Sequence, residues 1–596
     1  MAIALRVHQN GDDVFLTWRS AQPIAGCLGF AVLRERNGAA AAPLPSYAGF
    51  ENQTWKAGDH KASTVWPIQK YWWTDYTASC GDRVRYRIVP MIDDGAGGLE
   101  QDLGEASRWS TEVTLAHEVS PGFSCYFNRG IVASQFVQRL LDERLTVGQR
   151  RSKLDTVVTD LAHPEARDVL AGELRLGLRA LLAKARDEHL SVTAALFELT
   201  DPELVNDLVG LGNRLEIVLA DGAPVDSLPA TLPAGETDPA KGTKTDENAS
   251  TRQLLGRSGA VVHDRMSNRA KHMPDKTVAS FLAHNKILVV SDAAGVARWT
   301  WTGSTNWTPS GLCTQANNGI LIDDPKVAAR FSRQIRALAA AGDDSPAALA
   351  QANSAPSPST VAGATSGTTT VHSAKATTWF TRTVGQVDLD DAAQRIADAT
   401  EGALFLMFQV GLTNSLLASI LGRRSDPGFF VHGVISSQPK DPSGPAGPAD
   451  PMSKQIGFVH KNQRVRYAPD ILLPFALGPN ERWLEEFVKK NGAHAIIHSK
   501  VVVLDPFGAR PVVMTGSHNM GSTASKANDE NLLIVSGNRA LAAAYTTNIM
   551  AIYDNFRWRF RVAEGSKWRG SSTRPEWQDR YFAGEVPEFA FFRDEQ

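Results

Sequence analysis

Two stretches of this chain repeat one pattern, and any fold it adopts must accommodate both copies. The first reads HNKILVVSD…GSTN and sets out His284, Lys286, Asp292, Gly303, Ser304 and Asn306; the second reads HSKVVVLD…GSHN, with His498, Lys500, Asp505, Gly516, Ser517 and Asn519. Each copy opens with a His and a Lys two positions apart at the start of an apolar run. In a strand, residues i and i+2 share a face, so imidazole and ammonium point the same way. The Ser and Asn of each GSxN are also two apart, after a second strand-like segment. The two His are 214 residues apart, and the interval from Asp292 to Gly303 equals that from Asp505 to Gly516. A His-x-Lys alone is a weak signal; the coincidence of all these features is not.

The surroundings repeat as well. The first copy is preceded by a helix-patterned segment (168–189), the strand VTAALFEL (192–199), a helix opening at Asp201-Pro202 and the strand RLEIVLAD (214–221). A helix with an Asp-Pro start follows it (323–342). The second copy is preceded by a helix (389–402), the strand ALFLMFQV (403–410), a helix (412–424), the strand FFVHGVIS (429–436) and a Pro/Gly loop (440–451); a helix from 538 to about 558 follows. This is an internal duplication, and it predicts two pseudo-symmetric α/β units packed with their motif strands facing each other. At 596 residues the chain exceeds what one core can organise. The units are expected at 118–342, where YFNRG (126–130) opens a helix-rich segment, and at 378–596. Residues 343–377 are Ala, Ser, Thr, Gly and Pro with almost no large apolar side chain, and read as a flexible linker.

Residues 1–117 have a different texture. VFLTW (14–18), GFAVLRER (29–36), KYWWTDY (70–76) and RVRYRIVPM (83–91) read as half-buried strands, with GDD, NG, CGD and DDGAGG as turns. They predict a small antiparallel sandwich that resembles a fibronectin type III or immunoglobulin-like domain. It carries no reactive cluster, so an adaptor or packing role is expected of it.

Charge restricts the partners. The chain has a formal net charge of −2 and a pI of about 6.7, so attraction for anions must be local. Cys27, Cys80, Cys125 and Cys313 show no metal-ligand spacing; a Cys27–Cys80 bridge and buried free thiols both remain open. The N-terminal residues lack the pattern of a signal peptide and no run reaches the length of a membrane span, so a cytoplasmic protein is expected, with signal-less export as the other route.

With its duplicated HxK, Asp and GSxN, the segment from about 120 to 565 resembles the phospholipase D superfamily. The second copy fits the signature HxK(x)4D…GSxN as written. The first departs by one residue, since Ser291 stands where the Asp belongs and Asp292 comes next. The resemblance implies a phosphoric diester hydrolase working without a cofactor or metal, on a lipid or nucleic-acid phosphodiester, with a site complete in one chain and hence a monomer. The residue types agree. A phosphodiester repels anionic attackers, whereas neutral imidazole is not repelled; one His can attack phosphorus while the other, protonated, donates to the leaving oxygen. Lys286, Lys500, Asn306 and Asn519 are the expected phosphate-binding groups, where charge concentrates in the transition state; for Ser304 and Ser517 phosphate contact and a structural hydrogen bond in the turn both remain open. Asp292 and Asp505 are expected to support the fold. The resemblance also implies a Glu about eleven residues beyond GSxN, bonded to the His of its own half. Glu530 stands there in the second copy and Asn317 in the first. A carboxylate favours the protonated imidazole, so His498 backed by Glu530 is expected as the acid and His284 backed by Asn317 as the nucleophile.

Plainer roles compete with these. His494 suits packing or the site rim. Trp299, Trp301 and Trp307 alternate as a strand face or pocket wall would, and HDRMSNRAKHMPDK (263–276) suits a solvated loop better than an anion-guiding rim. Phospholipid headgroup cleavage is slightly favoured over a metal-independent nuclease, with a catalytically idle binding protein third.

Overall fold

The computed structural model describes residues 3–55, 59–129, 156–162, 164–222, 246–266, 282–361, 374–408, 411, 414–436, 455–459, 465–472, 497–563 and 570–592. Two large mixed sheets dominate it, and the duplication read from the sequence is visible in their strand order. In the first sheet the neighbours run Phe123–Phe127, Asn318–Asp323, Ala297–Gly303, Lys286–Ser291, Val192–Leu196, Leu215–Ala220, Val261–Arg265. In the second they run Ala374–Phe380, Asn531–Ser536, Val512–Gly516, Val501–Leu504, Gly402–Met407, Phe430–Ile435, Val465–Leu472. Corresponding strands pair in corresponding senses, with the motif strands antiparallel to Val192–Leu196 and Gly402–Met407.

Strand periodicity divides the apolar side chains between two layers. Ala195, Val218, Ile287, Val289 and Ile320 join Leu404, Val501, Val503, Val513 and Leu533 in one core shared by both sheets. The helices Pro325–Ala341 and Arg539–Ala563 contribute Phe331, Ile335, Tyr545 and Ile549 to that core. The alternate residues, such as Leu196, Ile217 and Leu288 in one unit and Phe405, Val502 and Ile534 in the other, face separate outer cores under the remaining helices. Two helix starts follow directly from Asp-Pro: Asp201 accepts from Leu204 N at 3.2 Å and Asp324 from Val327 N at 2.8 Å, with Pro at the first helical position.

The N-terminal residues form the antiparallel sandwich expected of them. Ala4–Gln9, Val14–Arg19 and Trp72–Asp75 make one sheet; Cys27–Arg36 and Arg83–Asp93 are the centre of the other. The sandwich does not stand apart. The chain's last described segment, 570–592, packs on it: Phe589 lies 4.5 Å from Tyr71 and Trp577 5.9 Å from Phe30, ring centre to ring centre. Trp577 Nε1 donates to Cys27 O at 2.9 Å, and Gln578 exchanges hydrogen bonds with both backbone groups of Ile24.

Two sequence expectations change, over 343–377 and at the start of HDRMSNRAKHMPDK. Tyr126 and Phe127 of YFNRG end the strand Phe123–Phe127, which pairs with Asn318–Asp323; residues 130–155 lie outside the described residues. The linker expected over 343–377 is structured where it is described: Ala347–Asn353 is helical, and Ser357–Val361 pairs with Ala374–Phe380 as a sheet edge. Small and β-branched residues satisfy a two-strand edge without large apolar side chains; residues 362–373 lie outside the described residues. The start of HDRMSNRAKHMPDK is strand, since Val261–Arg265 pairs with Leu215–Ala220; 267–276 lie outside the described residues, as do His494 and the loop 440–451. Cys27 and Cys80 are both free, Cys27 buried and Cys80 exposed. Among the described residues no helix is long and apolar enough to cross a membrane.

Candidate active site

Each His-x-Lys stands where its chain enters a strand of its sheet, and each GSxN stands where the next strand ends. The glycine of GSxN is there for space. Gly303 and Gly516 have φ of 152° and 140°, and a Cβ would meet the carbonyl oxygen of Asn318 at 2.2 Å or of Asn531 at 2.3 Å. The turn after each glycine carries Asn306 and Asn519, and Asn519 N donates to Glu530 at 3.0 Å.

The two halves meet through a reciprocal set of contacts. Asn318 Nδ2 donates to Thr515 Oγ1 at 2.8 Å, and Asn531 Nδ2 donates to Thr302 Oγ1 at 2.8 Å. These are the same pair of positions taken from opposite halves. His498 N also donates to Ala316 O at 3.0 Å across the seam.

The histidine partners cross the seam too, which corrects the expected pairing. Asn317 accepts from His498 Nδ1 at 3.0 Å, and Glu530 Oε1 lies 3.3 Å from His284 Nδ1. The reason is geometric. Asn317 and Glu530 lie just before the strands Asn318–Asp323 and Asn531–Ser536, whose first residues already reach into the opposite half.

Asn317 is fixed in orientation, since its Nδ2 donates to Gly311 O and its Oδ1 receives the Ser304 hydroxyl. Only an acceptor therefore faces His498, and its Nδ1 must carry the proton. Glu530 is fully buried and receives Asn528 Nδ2 at 2.7 Å and Asn519 N at 3.0 Å. Its Oε1 comes close to His284 Nδ1 at an angle that falls short of a hydrogen bond.

Burial governs the charges. His284 is pushed down to about 4, by burial first and by Lys286 second, against the upward pull of Glu530. The expectation that a carboxylate neighbour keeps its imidazole protonated fails here because desolvation outweighs it. Burial likewise lowers Lys286 to about 7 and Lys500 well below its ordinary value. For Glu530 burial acts upward, but His284, His518 and Asn528 outweigh it and hold the carboxylate down at about 2.

The lysines are set symmetrically. Lys286 Nζ donates to His284 O at 2.9 Å and lies over the Phe197 ring; Lys500 Nζ donates to His498 O at 2.7 Å and lies over Phe408. The same rings pack against the imidazoles, with centres 4.9 Å apart for Phe197–His284 and 4.7 Å for Phe408–His498. Asn306 and Asn519 each retain a buried amide oxygen with no partner among the described residues. Two histidines, two lysines and two uncommitted amides thus gather at one seam.

The serines and aspartates serve elsewhere. Ser304 and Ser517 are fully buried; Ser304 bonds Asn317 and Asn318, and Ser517 bonds Asn531. With proton and lone pair engaged, they position the crossing asparagines, the structural one of the two roles the sequence left open. Asp505 ties down Thr400, Glu401 and Gly402 at the start of a neighbouring strand. The Asp292 carboxylate accepts from Ala294 N and Val296 N within its own hairpin. The one-residue slip in the first copy thus moves Asp292 from a strand end into a turn. Trp301 and Trp307 are core residues.

Phe197 and Phe408 went unnoticed in the sequence, although aligning LFEL with MFQV would have shown them. So did His518, the variable residue of GSHN. Its Nδ1 accepts from Met520 N at 2.8 Å, so its Nε2 donates to buried Asp388 at 3.0 Å, pinning that turn to the helix Val387–Asp398.

A family model described as "Cardiolipin synthase, PLD-like domain" matches residues 178–339, which contain the whole first motif. Over those residues the chain is similar to the phospholipase D-like domain of that family. Its second motif repeats the first inside the same strand order, so this phospholipase D-like chain carries both halves of the site. Among solved structures it is similar to the phosphatidylserine synthase of Haemophilus influenzae, at 12% identity over 73% of this chain and 91% of that one, with a TM-score of 0.37. Nuc of Salmonella typhimurium, a phospholipase D family member, gives 19%, 28% and 91%, with a TM-score of 0.19. The polyphosphate kinase of Porphyromonas gingivalis gives 11%, 60% and 45%, with a TM-score of 0.33, so this chain spans less than half of that enzyme's length. No curated protein matches it in sequence.

Proposed function

We propose that the protein is a phosphodiesterase that cleaves phospholipid headgroups through a covalent phosphohistidine. The observation that carries this is the crossed support of the two imidazoles. Each His has its Nδ1 turned to a side chain of the other half, which keeps Nε2 for chemistry. His284, neutral because it is buried, attacks phosphorus through Nε2 while the bond to the leaving alcohol breaks. The imidazole gains positive charge in that step, and Glu530 stands where it offsets the charge. His498 gives a proton to the departing oxygen. It then takes one from the water that displaces His284, and an amide partner suits both of its forms. Lys286, Lys500, Asn306 and Asn519 surround the phosphoryl oxygens. His284 thus keeps the nucleophilic role expected from the sequence, but on the opposite premise, with a carboxylate behind it.

Two features favour lipid. Phenyl rings flank both His-Lys pairs, and the matched family description names cardiolipin, a phospholipid. Arg265, part of the basic stretch that would guide a nucleic acid, is buried against Asp529 at 2.8 Å and is no rim residue. The test is the purified protein with chelator on phospholipid vesicles, single- and double-stranded DNA, RNA and bis-p-nitrophenyl phosphate, with mass spectrometry of the quenched enzyme. Turnover of vesicles with an adduct on His284 is expected. An adduct on His498 alone, or activity that chelator abolishes, would overturn the mechanism, and preferential cleavage of nucleic acid would overturn the substrate.

A further inference from the structure

Two buried rings stand beside the motif cations, and the phosphohistidine scheme does not use them. Phe197 and Phe408 directly follow the strands Val192–Leu196 and Gly402–Met407. Leu196 lies opposite Lys286 and Leu406 opposite Val501, so each strand delivers its Phe to a His-x-Lys segment. Phe197 N also donates to Asn285 O at 2.9 Å, and its ring packs with Ala283, which fixes it to the residues on either side of His284. Each ring meets two motif groups. The Phe197 ring has Lys286 Nζ over it at 5.1 Å and the His284 ring at 4.9 Å, inclined at 62°. The Phe408 ring has Lys500 Nζ over it at 4.5 Å and the His498 ring at 4.7 Å, inclined at 56°. The same double contact recurs in both halves although the flanking residues differ, LFEL against MFQV.

The lysines call for such a partner. Lys286 and Lys500 are 2% and 1% exposed, and an ammonium buried that deeply must be compensated. Among the described residues each has one hydrogen bond, to the carbonyl of its own histidine, and neither has a carboxylate in ion-pair contact. Glu198 and Glu530 favour the charged lysines from a distance, and Lys286 opposes the charge on Lys500. The ring face is therefore the negative surface in contact with each ammonium, and a cation over an aromatic face gains most where water is excluded. A ring does this without taking a hydrogen bond, so two of the three N–H groups of each ammonium stay available to phosphoryl oxygens. A carboxylate in the same place would repel the phosphate. The second contact of each ring braces an imidazole whose Nδ1 is already turned to Glu530 or Asn317.

We propose that Phe197 and Phe408 are positioning residues, each holding a motif ammonium over its face as a cation and leaving that ammonium's free N–H groups to the phosphodiester. They act through the lysines and touch no reacting atom. The proposal rests on the phosphodiesterase function argued above and holds for lipid and nucleic-acid substrates alike.

The test replaces each Phe in the full chain by Leu and by phenylalanine carrying one or three ring fluorines, which drain the negative face while nearly keeping its shape. Three quantities are read: the pH profile of kcat/KM on bis-p-nitrophenyl phosphate, the affinity for inorganic phosphate by calorimetry, and the melting temperature. As fluorine is added, kcat/KM and phosphate affinity should fall in step, by about tenfold with three fluorines. The basic limb of kcat/KM, where the lysines lose their protons, should move down by about one pH unit, with the melting temperature unchanged. Phe197→Leu and Phe408→Leu should each cost at least as much. A loss in the Leu variants with none across the fluorine series would mean that the rings only pack, and overturns the proposal. So does a basic limb that stays in place, or a loss of rate that tracks a loss of melting temperature. If wild type cleaves no phosphodiester at all, the function proposed above fails, and the phosphate affinities decide the role of the rings by themselves: a fall with fluorination upholds it and a flat series ends it.

Discussion

Exchanging Glu530 for Gln tests the crossed support most directly. At 3.3 Å, two unit charges in a medium of effective dielectric near 20 attract by about 5 kcal/mol. The transition state carries only part of the imidazolium charge, and the amide retains a dipole, so about 2–3 kcal/mol of the barrier is at stake. That is about 30- to 150-fold in the rate of phosphohistidine formation. The ground state changes little, because burial already keeps His284 neutral near pH 7. With bis-p-nitrophenyl phosphate the leaving group needs little help from an acid, so stopped-flow release of the first p-nitrophenolate isolates this step. Gln has one acceptor where Glu530 offers two, and the donors from Asn519 and Asn528 both require one. A fall in rate could therefore come from displaced neighbours. The double variant Asn317→Asp with Glu530→Gln separates the causes, since it returns a carboxylate to the seam but places it behind His498. The burst should stay slow in the double variant. A burst unchanged by Glu530→Gln, or restored by the double variant, would refute a carboxylate acting on His284.

Three further outcomes follow from the same geometry. His498→Ala should abolish steady-state turnover yet accumulate a phosphoryl adduct on His284 with bis-p-nitrophenyl phosphate, read by intact-protein mass spectrometry; an enzyme that neither turns over nor labels would contradict the division of labour. The acid limb of kcat/KM should fall as pH drops through about 4, where His284 gains a proton and loses its lone pair; a limb near 6.5 assigned to His284 by its loss in a labelled variant would contradict the burial argument. Asp505→Ala should lower stability by about 3 kcal/mol or more, since it orphans the N–H groups of Thr400, Glu401 and Gly402, whereas Asp292→Ala in its partly exposed hairpin should cost about 1 kcal/mol or less. Thermal melts of the two variants check this, and equal losses would mean the two aspartates are equivalent after all.

Much of this arrangement was legible in the chain because spacing encodes it. A His and a Lys two apart in a strand share a face whatever the fold around them, and a 214-residue repeat announces a second half. What sequence does not encode is which half a side chain reaches. Asn317 and Glu530 stand the same distance beyond their own GSxN, and sequence distance favoured pairing within each half. The strands they precede lie at the seam, so the short path to an imidazole runs across it. Burial was equally hidden: a carboxylate beside a histidine suggests a raised pKa until the structure shows how thoroughly His284 is desolvated. The structured edge at Ser357–Val361 was missed because a strand that only edges a sheet needs no large apolar residue.

The crossing explains why the two halves belong in one chain. Each histidine depends on a residue that the other half supplies, so neither half holds a complete site. A symmetric dimer of either half could supply the missing partners, but identically: two carboxylates from the Glu530 half, or two amides from the Asn317 half. The proposed chemistry asks different things of the two imidazoles. The attacking one accumulates positive charge and benefits from an anion behind it. The proton carrier must pass between neutral and charged forms and is served by a neutral acceptor that fixes its tautomer without favouring either form. Only when the two halves are distinct sequences, as the duplication makes them, can the two positions differ, one as Glu530 and the other as Asn317. Expressed as separate polypeptides, the halves should regain activity only when mixed, and the Glu530 half alone should stay inactive even where it dimerises, because it lacks the amide partner for its proton carrier. Appreciable turnover by that half alone would show that the asymmetry is incidental to the chemistry.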